Sequence, residues 1–430
     1  MIEEPTAAQV TLRGLCGGAV HLPGDPAYDL ARTPWNTAVD QRPAAVAYPA
    51  DAGEVAALLR AARAVGLRVA PQGTGHLAAA LGPLDDIVLL RTAAMTGLSV
   101  DRAGRRARVG AGMLWADVVG AVSPLAALHP AAPDVGVVGY SLSGGLSWYG
   151  RQRGLQSTSV TAVELVTPGG DAVRADAGHE PDLFWALRGG GANFGVVTAI
   201  EFALHDVGEV TAGMLAWDAA RAERVLPEWV AWAATAPRTA TTTLRVMPAP
   251  AGAPAELRGR RIVVISGAVT GAAGAPLAPL RALRPEVDTF AAVQPAALAR
   301  LHLEPEGPRP DDRDGLLLGS VDADALLAVA AGADVELRHL GGALADRHPN
   351  AGALSHVEGE FLLVSSAAAR HGLAALTPYA TGRRYLGLAA ERGDVRAGFD
   401  PAAWDRLRAI RAAVDPGGLL VASHPVPAAG

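Results

Sequence analysis

Two glycine-rich loops constrain this chain more than any other feature. The first is Gln72-Gly73-Thr74-Gly75-His76, and the second runs over residues 133–145 as PDVGVVGYSLSGG. Glycine lacks the Cβ that blocks close approach, so successive backbone N–H groups in such a loop converge on an anion. The first loop closes a legible unit. Residues 46–48 read as a short apolar strand, and Asp51 with Glu54 forms a capping-box pattern. Val55, Leu58, Leu59, Ala62 and Val65 then recur at helical spacing, Gly66 stops the helix, and residues 67–70 give the next strand. This is a βαβ unit, normally parallel and right-handed. Residues 87–90 read as a buried strand, and residues 106–109 open a second unit with Trp115, Val118 and Val122 on a short helix. Each loop alone is equally well a tight turn. Two such nests from two units clamp one pyrophosphate, which points to a nucleotide cofactor. Neither loop is a GxGxxG fingerprint opening a Rossmann helix or a Walker loop.

All 37 basic residues are arginine, so no lysine Schiff base, lysine general base or P-loop lysine is available. The chain has 430 residues, 50% hydrophobic and 19% charged, enough for a large core in two or three domains. A net charge of −6 gives no broad basic field, so nucleic acid is not expected as a partner. The one cysteine, Cys16, makes no internal disulfide and no multi-cysteine metal site, and reads as a structural bystander. The acidic start lacks the apolar core of a secretory signal, and apolar runs such as residues 262–268 are too short to span a bilayer. A soluble cytoplasmic protein without a membrane partner is expected.

Further along, residues 160–166 and 171–175 form a hairpin pattern across Pro168-Gly169-Gly170. A short helix over 182–187 and a strand over 195–204 follow. Composition shifts near Asp206. Residues 208–380 are Ala/Pro-rich and read as a second domain with helices and an antiparallel sheet. Its strand candidates are 244–247, 261–268 and 356–364, and residues 305–315 form a polar loop. A last helix over 402–414 carries Trp404, Leu407, Ile410 and Val414 on one face and stops at Asp415-Pro416-Gly417.

Residues of about 40–207 resemble the FAD-binding domain of the vanillyl-alcohol oxidase superfamily (PCMH type), in particular its bacterial berberine bridge enzyme-like branch. The strings that carry the resemblance are APQGTGH, APDVGVVGYSLSGGLSW, SVTAVELVTPGGDAVRAD and PDLFWALRGGGANFGVVT, with the tail LRAIRAAVDPGGLLVASHPVP. The resemblance implies an α+β flavoprotein. Residues 1–207 would form an FAD domain of two α/β subdomains, 208–380 a substrate domain, and 381–430 a segment returning to the FAD domain. It implies that His76 is attached covalently to the flavin. Pro71, Gln72, Gly73, Thr74 and Gly75 would then bind the cofactor, as would Pro133, Asp134, Val135, Gly136, Gly139, Tyr140, Ser143, Gly144 and Gly145. Gly195, Val197, Ser423 and His424 complete the set. Ala132 matches the position of a second, cysteinyl tether in some relatives, so one bond is expected. Val135 matches a position that gates oxygen, where valine is the oxidase-like residue.

The resemblance also places a catalytic tyrosine at Tyr385, in a motif of the form Tyr-x-Asn-aromatic. Here it reads Tyr385-Leu386-Gly387-Leu388. A free phenol titrates near 10, so a base role needs help. On a strand, Arg383 shares a face with Tyr385 and favours the phenolate; otherwise Tyr385 packs over the flavin and Arg383 meets solvent. His356, Glu358 and Glu360 alternate on one strand face, which suits a solvated sheet, substrate contact or, least readily, a metal. His129 borders the cofactor pocket or caps a helix. Trp148 is core or flavin-adjacent, and Trp229 with Trp232 reads as core. Ser423 replaces an asparagine usual in close relatives. The expected activity is oxidation of a small or medium organic substrate, such as a specialised metabolite, with molecular oxygen as acceptor and no metal. The departures at Gly387 and Ser423 keep redox-neutral cyclisation or isomerisation, and a dehydrogenase, as alternatives.

Overall fold

The computed structural model describes residues 12–429 except 251, 252, 254, 256, 272, 273, 349 and 350. Three sheets organise it. The first contains β1 (Val20–His21), β2 (Ala45–Ala47), β3 (Arg68–Gln72) and β4 (Ile87–Arg91) in the order β1-β2-β4-β3. Helix α1 (Ala52–Ala64) joins β2 to β3. These two strands run parallel to β4, which lies between them, so the βαβ unit exists but its strands are not neighbours. Asp51 caps α1 by accepting the Glu54 N–H at 2.9 Å. The Glu54 carboxylate takes the Ala50 N–H at 2.7 Å, one residue before the cap. The apolar stripe Val55, Leu58, Leu59 and Ala62 is buried, as helical periodicity requires.

The second sheet holds β5 (Leu98–Asp101), β6 (Arg106–Gly110), β7 (Val160–Val166), β8 (Ala172–Asp176) and β9 (Val196–Ala203) in the order β5-β6-β9-β7-β8, with antiparallel neighbours. The turn between β7 and β8 places Gly170 at φ +93°, where a side chain is strained. The second glycine stretch is not a loop throughout: α2 (Val137–Leu142) winds within it. Helix α3 (Pro181–Gly190) and β9 follow the expected order.

The third sheet has eight strands: β10 (Val210–Asp218), β11 (Ala240–Pro248), β12 (Arg261–Thr270), β13 (Val287–Asp288), β14 (Ala291–Val293), β15 (Arg313–Leu318), β16 (Val335–His339) and β17 (Phe361–Ser366). Its main order is β13-β10-β12-β11-β16-β17-β15, with β14 also on β10. Helices α4 (Ala222–Thr235) and α5 (Ala323–Gly332) cover one face, where Trp229, Trp232, Leu326 and Val329 pack on Leu244, Leu337 and Leu363. Strand alternation then sends Glu336 and Arg338 to the opposite face, toward the first two sheets.

The stretch 355–360 is not a strand. Gly359 sits at φ +147°, and its would-be Cβ lies 3.0 Å from the Leu318 carbonyl oxygen, so the extended run begins only at Phe361. His356 pairs with the Ser355 hydroxyl at 2.9 Å, and Glu358 lies 3.4 Å from Arg383.

The last helix, α6 (Pro401–Val414), buries Leu407 and Ile410, and the chain then returns to the first sheet. Val69 N–H donates to the Leu419 carbonyl, and Val421 N–H to the Val69 carbonyl, both at 2.8 Å. A buried clamp holds this return. Asp415 accepts the Leu419 and Leu420 N–H groups at 2.9 Å and pairs with Arg411 at 2.8 Å. Arg411 also donates to the carbonyls of Leu420 and Asn193. Removing one partner of a buried ion pair leaves an uncompensated charge, at a cost of about 3–5 kcal/mol. Arg411→Met should therefore lower the unfolding free energy by about that amount, read from the urea midpoint at unchanged slope.

Candidate functional site

A cavity of about 320 Å³ lies where the three sheets meet. Pro71, Gln72, Gly73, Thr74, Gly75 and His76 form one wall, at and after the end of β3. Val135, Gly136, Gly139, Tyr140 and Ser143, around α2, form another, and Val197, Ser423 and His424 also line it. Tyr385 and the substituted position Gly387 line it as well.

Five residues expected at the cofactor do not line the cavity: Pro133, Asp134, Gly144, Gly145 and Gly195. Each has a structural duty instead. The Pro133 carbonyl accepts the Ala116 N–H at 2.8 Å. Asp134 accepts the Trp35 indole N–H at 2.7 Å and the Gly307 N–H at 2.8 Å. Gly144 and Gly145 have φ of +105° and +81°, and a Cβ there would meet Leu354 and Tyr140 at 2.8 and 2.6 Å. A Cβ on Gly195 would lie 2.4 Å from Leu165 on β7, so this glycine permits strand packing. The hydroxyls of Ser141 and Ser143 donate back to Val137 and Gly139 within α2, both at 2.8 Å, rather than standing free in a nest.

The cavity suits FAD on three observations. Gly139 has no atom within 4 Å of a built Cβ and Gly136 only Thr74 near that limit, so side chains there would fill the cavity itself. Gln72 Nε2, His76 Nε2 and Tyr140 Oη are buried polar atoms of lining residues with no protein partner. His76 is held for a defined role. Its Nδ1 lies 2.7 Å from the Thr74 hydroxyl, and its ring stacks on Trp35 at 3.9 Å and 18°. Burial pushes its pKa down to about 4, so the imidazole is neutral at physiological pH.

Tyr385 precedes a short 3₁₀ turn rather than lying on a strand. Its hydroxyl oxygen accepts the Gly145 N–H at 2.9 Å. Burial raises its pKa despite that bond, so the phenol keeps its proton. Arg383 gives no phenolate support, because it donates to the Phe399 carbonyl at 2.7 Å and pairs with Asp400 at 3.2 Å. His129 is buried beside the Pro130 carbonyl at 2.8 Å and does not line the cavity. Trp148 is buried and lines a small annex of about 40 Å³. Cys16 is buried, and burial foremost pushes its thiol up to about 12.

The wall contributed by the third sheet was missed by sequence reasoning. Arg309, Asp311 and Arg313 come from the segment read as a polar loop, Glu304 from the position just before it, and Arg338 from β16. Glu304 pairs with Arg309 at 2.7 Å and Arg313 at 2.9 Å, and Glu336 with Arg338 at 2.7 Å. Burial alone would raise the Glu304 carboxyl, but Arg313 brings it down to about 2. His302, Glu304 and Glu336 have ligand atoms within 4.8 Å of one another. Arginines already occupy both carboxylates, so this is an ion-pair network rather than a metal site. The signal was present as EPEGPRPDDRD and as the alternation Val335-Glu336-Leu337-Arg338.

A glycine-walled cleft between two α/β layers, roofed by an antiparallel sheet, defines a nucleotide-cofactor flavoprotein fold. Residues 43–176 match the family model described as FAD binding domain, so this segment is an FAD-binding domain. It is 35% identical over 203 residues to (R)-6-hydroxynicotine oxidase of Paenarthrobacter nicotinovorans, a match covering 46% of this chain and 44% of that enzyme. The aligned region thus spans less than half of that curated relative. The fold matches 6-hydroxy-D-nicotine oxidase from Arthrobacter nicotinovorans with a TM-score of 0.82, 24% identity, and 93% and 95% of the two chains covered. It also matches BBE-like 1 of Physcomitrella patens with a TM-score of 0.83, 20% identity, and 99% and 100% covered. No helix among the described residues is long and apolar enough to cross a membrane.

The depressed His76 pKa has a stability consequence. Between pH 6.5 and about 4 the unfolded chain binds the proton and the folded one does not, so stability falls as pH falls through that window. In flavin-free protein, His76→Gln should reduce the pH slope of unfolding free energy there by up to about 1.4 kcal/mol per pH unit. Denaturant melts across the window test it.

Proposed function

We propose that this chain is a covalent FAD-dependent oxidase acting on a small or medium organic molecule, such as a specialised metabolite, in the cytoplasm. The observation that carries the reading is His76: a neutral imidazole, clamped by Thr74 and Trp35, with Nε2 buried at the cavity wall and unpartnered. Nε2 is the nitrogen at which a bond to the flavin leaves the Thr74 contact intact. When bound, FAD supplies a two-electron acceptor for substrate hydride and passes the electrons to oxygen.

The chain's own residues do the rest. Backbone around Gly136 and Gly139 leaves room to approach the cofactor closely, and Gly73, Thr74 and Gly75 line the same cavity. Ala132 and Val135 line the same cavity; the first offers no second tether, and the second is the residue this reading assigns to oxygen access. Tyr385 is the proposed catalytic residue. Because its oxygen accepts a backbone N–H and its proton is retained, it orients the reacting group by donating a hydrogen bond, in place of the phenolate base expected above. That retained proton also favours a second reading, in which the flavin shapes a pocket for redox-neutral cyclisation. Anaerobic bleaching of the flavin by substrate excludes it.

The first test is acid denaturation and centrifugation of the purified protein. Flavin absorbance should stay with the pellet and be lost from it in His76→Ala; flavin released from wild type refutes the tether. Tyr385→Phe should lower turnover by about 100-fold or more with flavin content unchanged, and full turnover would remove Tyr385 from the chemistry.

A further inference from the structure

Arg338 stands apart within the charged wall. Its Nε donates to Glu336 at 2.7 Å, which fixes the guanidinium plane. Among the described residues its side chain makes no other hydrogen bond or ion pair, and it is 22% exposed, the other arginines of the wall being committed differently. Arg313 pairs with Glu304 and Asp311. Arg309 holds Glu304 and lies over the Trp35 ring at 4.5 Å. Arg245 donates to the His302 carbonyl at 3.0 Å and the Ser266 hydroxyl at 3.4 Å. Arg338 borders both the main cavity and the annex beside Trp148 and Thr243. Its field reaches the hydroxyls of Tyr140 and Tyr385. The Tyr140 hydroxyl is buried and unpartnered. Arg338 thus presents a guanidinium fixed at Nε, with its two terminal nitrogens uncommitted, at the wall of the cavity.

We propose that Arg338 is a substrate-specificity residue, whose two terminal nitrogens bind a carboxylate on an otherwise apolar substrate. A planar, two-point anion fits because the guanidinium fork matches carboxylate geometry and keeps its charge at any working pH. Glu336 fixes the fork through Nε and leaves the two terminal nitrogens for a ligand, so a carboxylate gains charge-assisted bonds that a neutral amide lacks, and a cationic amine meets Arg338 itself. The inference deepens the oxidase reading by naming its substrate class, and rests on that reading for what happens to the bound acid.

The test uses flavin-loaded protein titrated with benzoate and with benzamide, its neutral counterpart, followed by flavin difference absorbance and by calorimetry. Benzoate should bind about tenfold or more tightly than benzamide at low ionic strength. In Arg338→Met that preference should collapse to within about twofold, and Arg338→Lys, which keeps the charge without the fork, should retain part of it. Equal affinity for both probes, no measurable binding of either, or an undiminished preference in Arg338→Met overturns the proposal. Calorimetry reads the preference whether or not flavin is present, so a protein purified without flavin speaks against the oxidase reading and not against this one.

Discussion

The carboxylate of Asp134 ties the site together. It accepts the indole N–H of Trp35 from one side and the backbone N–H of Gly307 from the other. Trp35 in turn donates its backbone N–H to the Thr74 carbonyl at 2.8 Å and accepts that of Arg309 at 3.0 Å. One acidic group thereby links the first glycine loop, the second glycine stretch and the segment that carries the charged wall. The His76 stack, the position of Arg309 and the distance between the cofactor wall and the substrate wall all follow from that link. An ionised acceptor serving two N–H groups makes stronger bonds than a neutral one, which suits a junction between separately folded sheets.

What was legible in the sequence was local. The stripe of α1, its Asp51 cap, the hairpin across Gly170 and the apolar face of α6 depend on residues within a few positions of one another. The insertion of β4 between β2 and β3 depends on long-range pairing and leaves no local signature. The expected strand at 355–360 shows the opposite failure: alternation was present, but Gly359 takes a backbone conformation that ends extension. At the site, the motif strings placed His76 and most of the glycine walls. They gave no sign that Pro133, Asp134, Gly144, Gly145 and Gly195 stand behind the cavity wall, because a glycine or acid that permits packing looks, in one sequence, like one that touches a ligand. The charged wall was unreadable for a related reason. A run such as Asp311-Asp312-Arg313-Asp314 resembles a solvated loop until the fold brings Glu304 against it.

The two walls divide the chemistry. On the cofactor side the titratable groups are held neutral: His76 by burial and the clamp around it, and Tyr385 by burial despite a backbone donor. On the substrate side the charges are kept and compensated in pairs. Arginine suits that role better than lysine, since it binds carboxylates through a planar fork and does not surrender its proton when buried. A chain without lysine draws the cations of such a wall from guanidinium forks alone.

Gly387 connects these walls and gives its departure from the family motif a physical meaning. A Cβ at this position would lie 2.9 Å from the Tyr385 ring and from its hydroxyl oxygen. Glycine is therefore what allows the Tyr385 ring to fold back over residue 387 and bring its hydroxyl to Gly145. An asparagine there, as in the motif of relatives, has to displace the ring. The loss of that amide and the placement of Tyr385 are one change rather than two. Gly387 and Tyr385 both line the cavity wall, so the residue at 387 and the direction of the Tyr385 hydroxyl set its shape together.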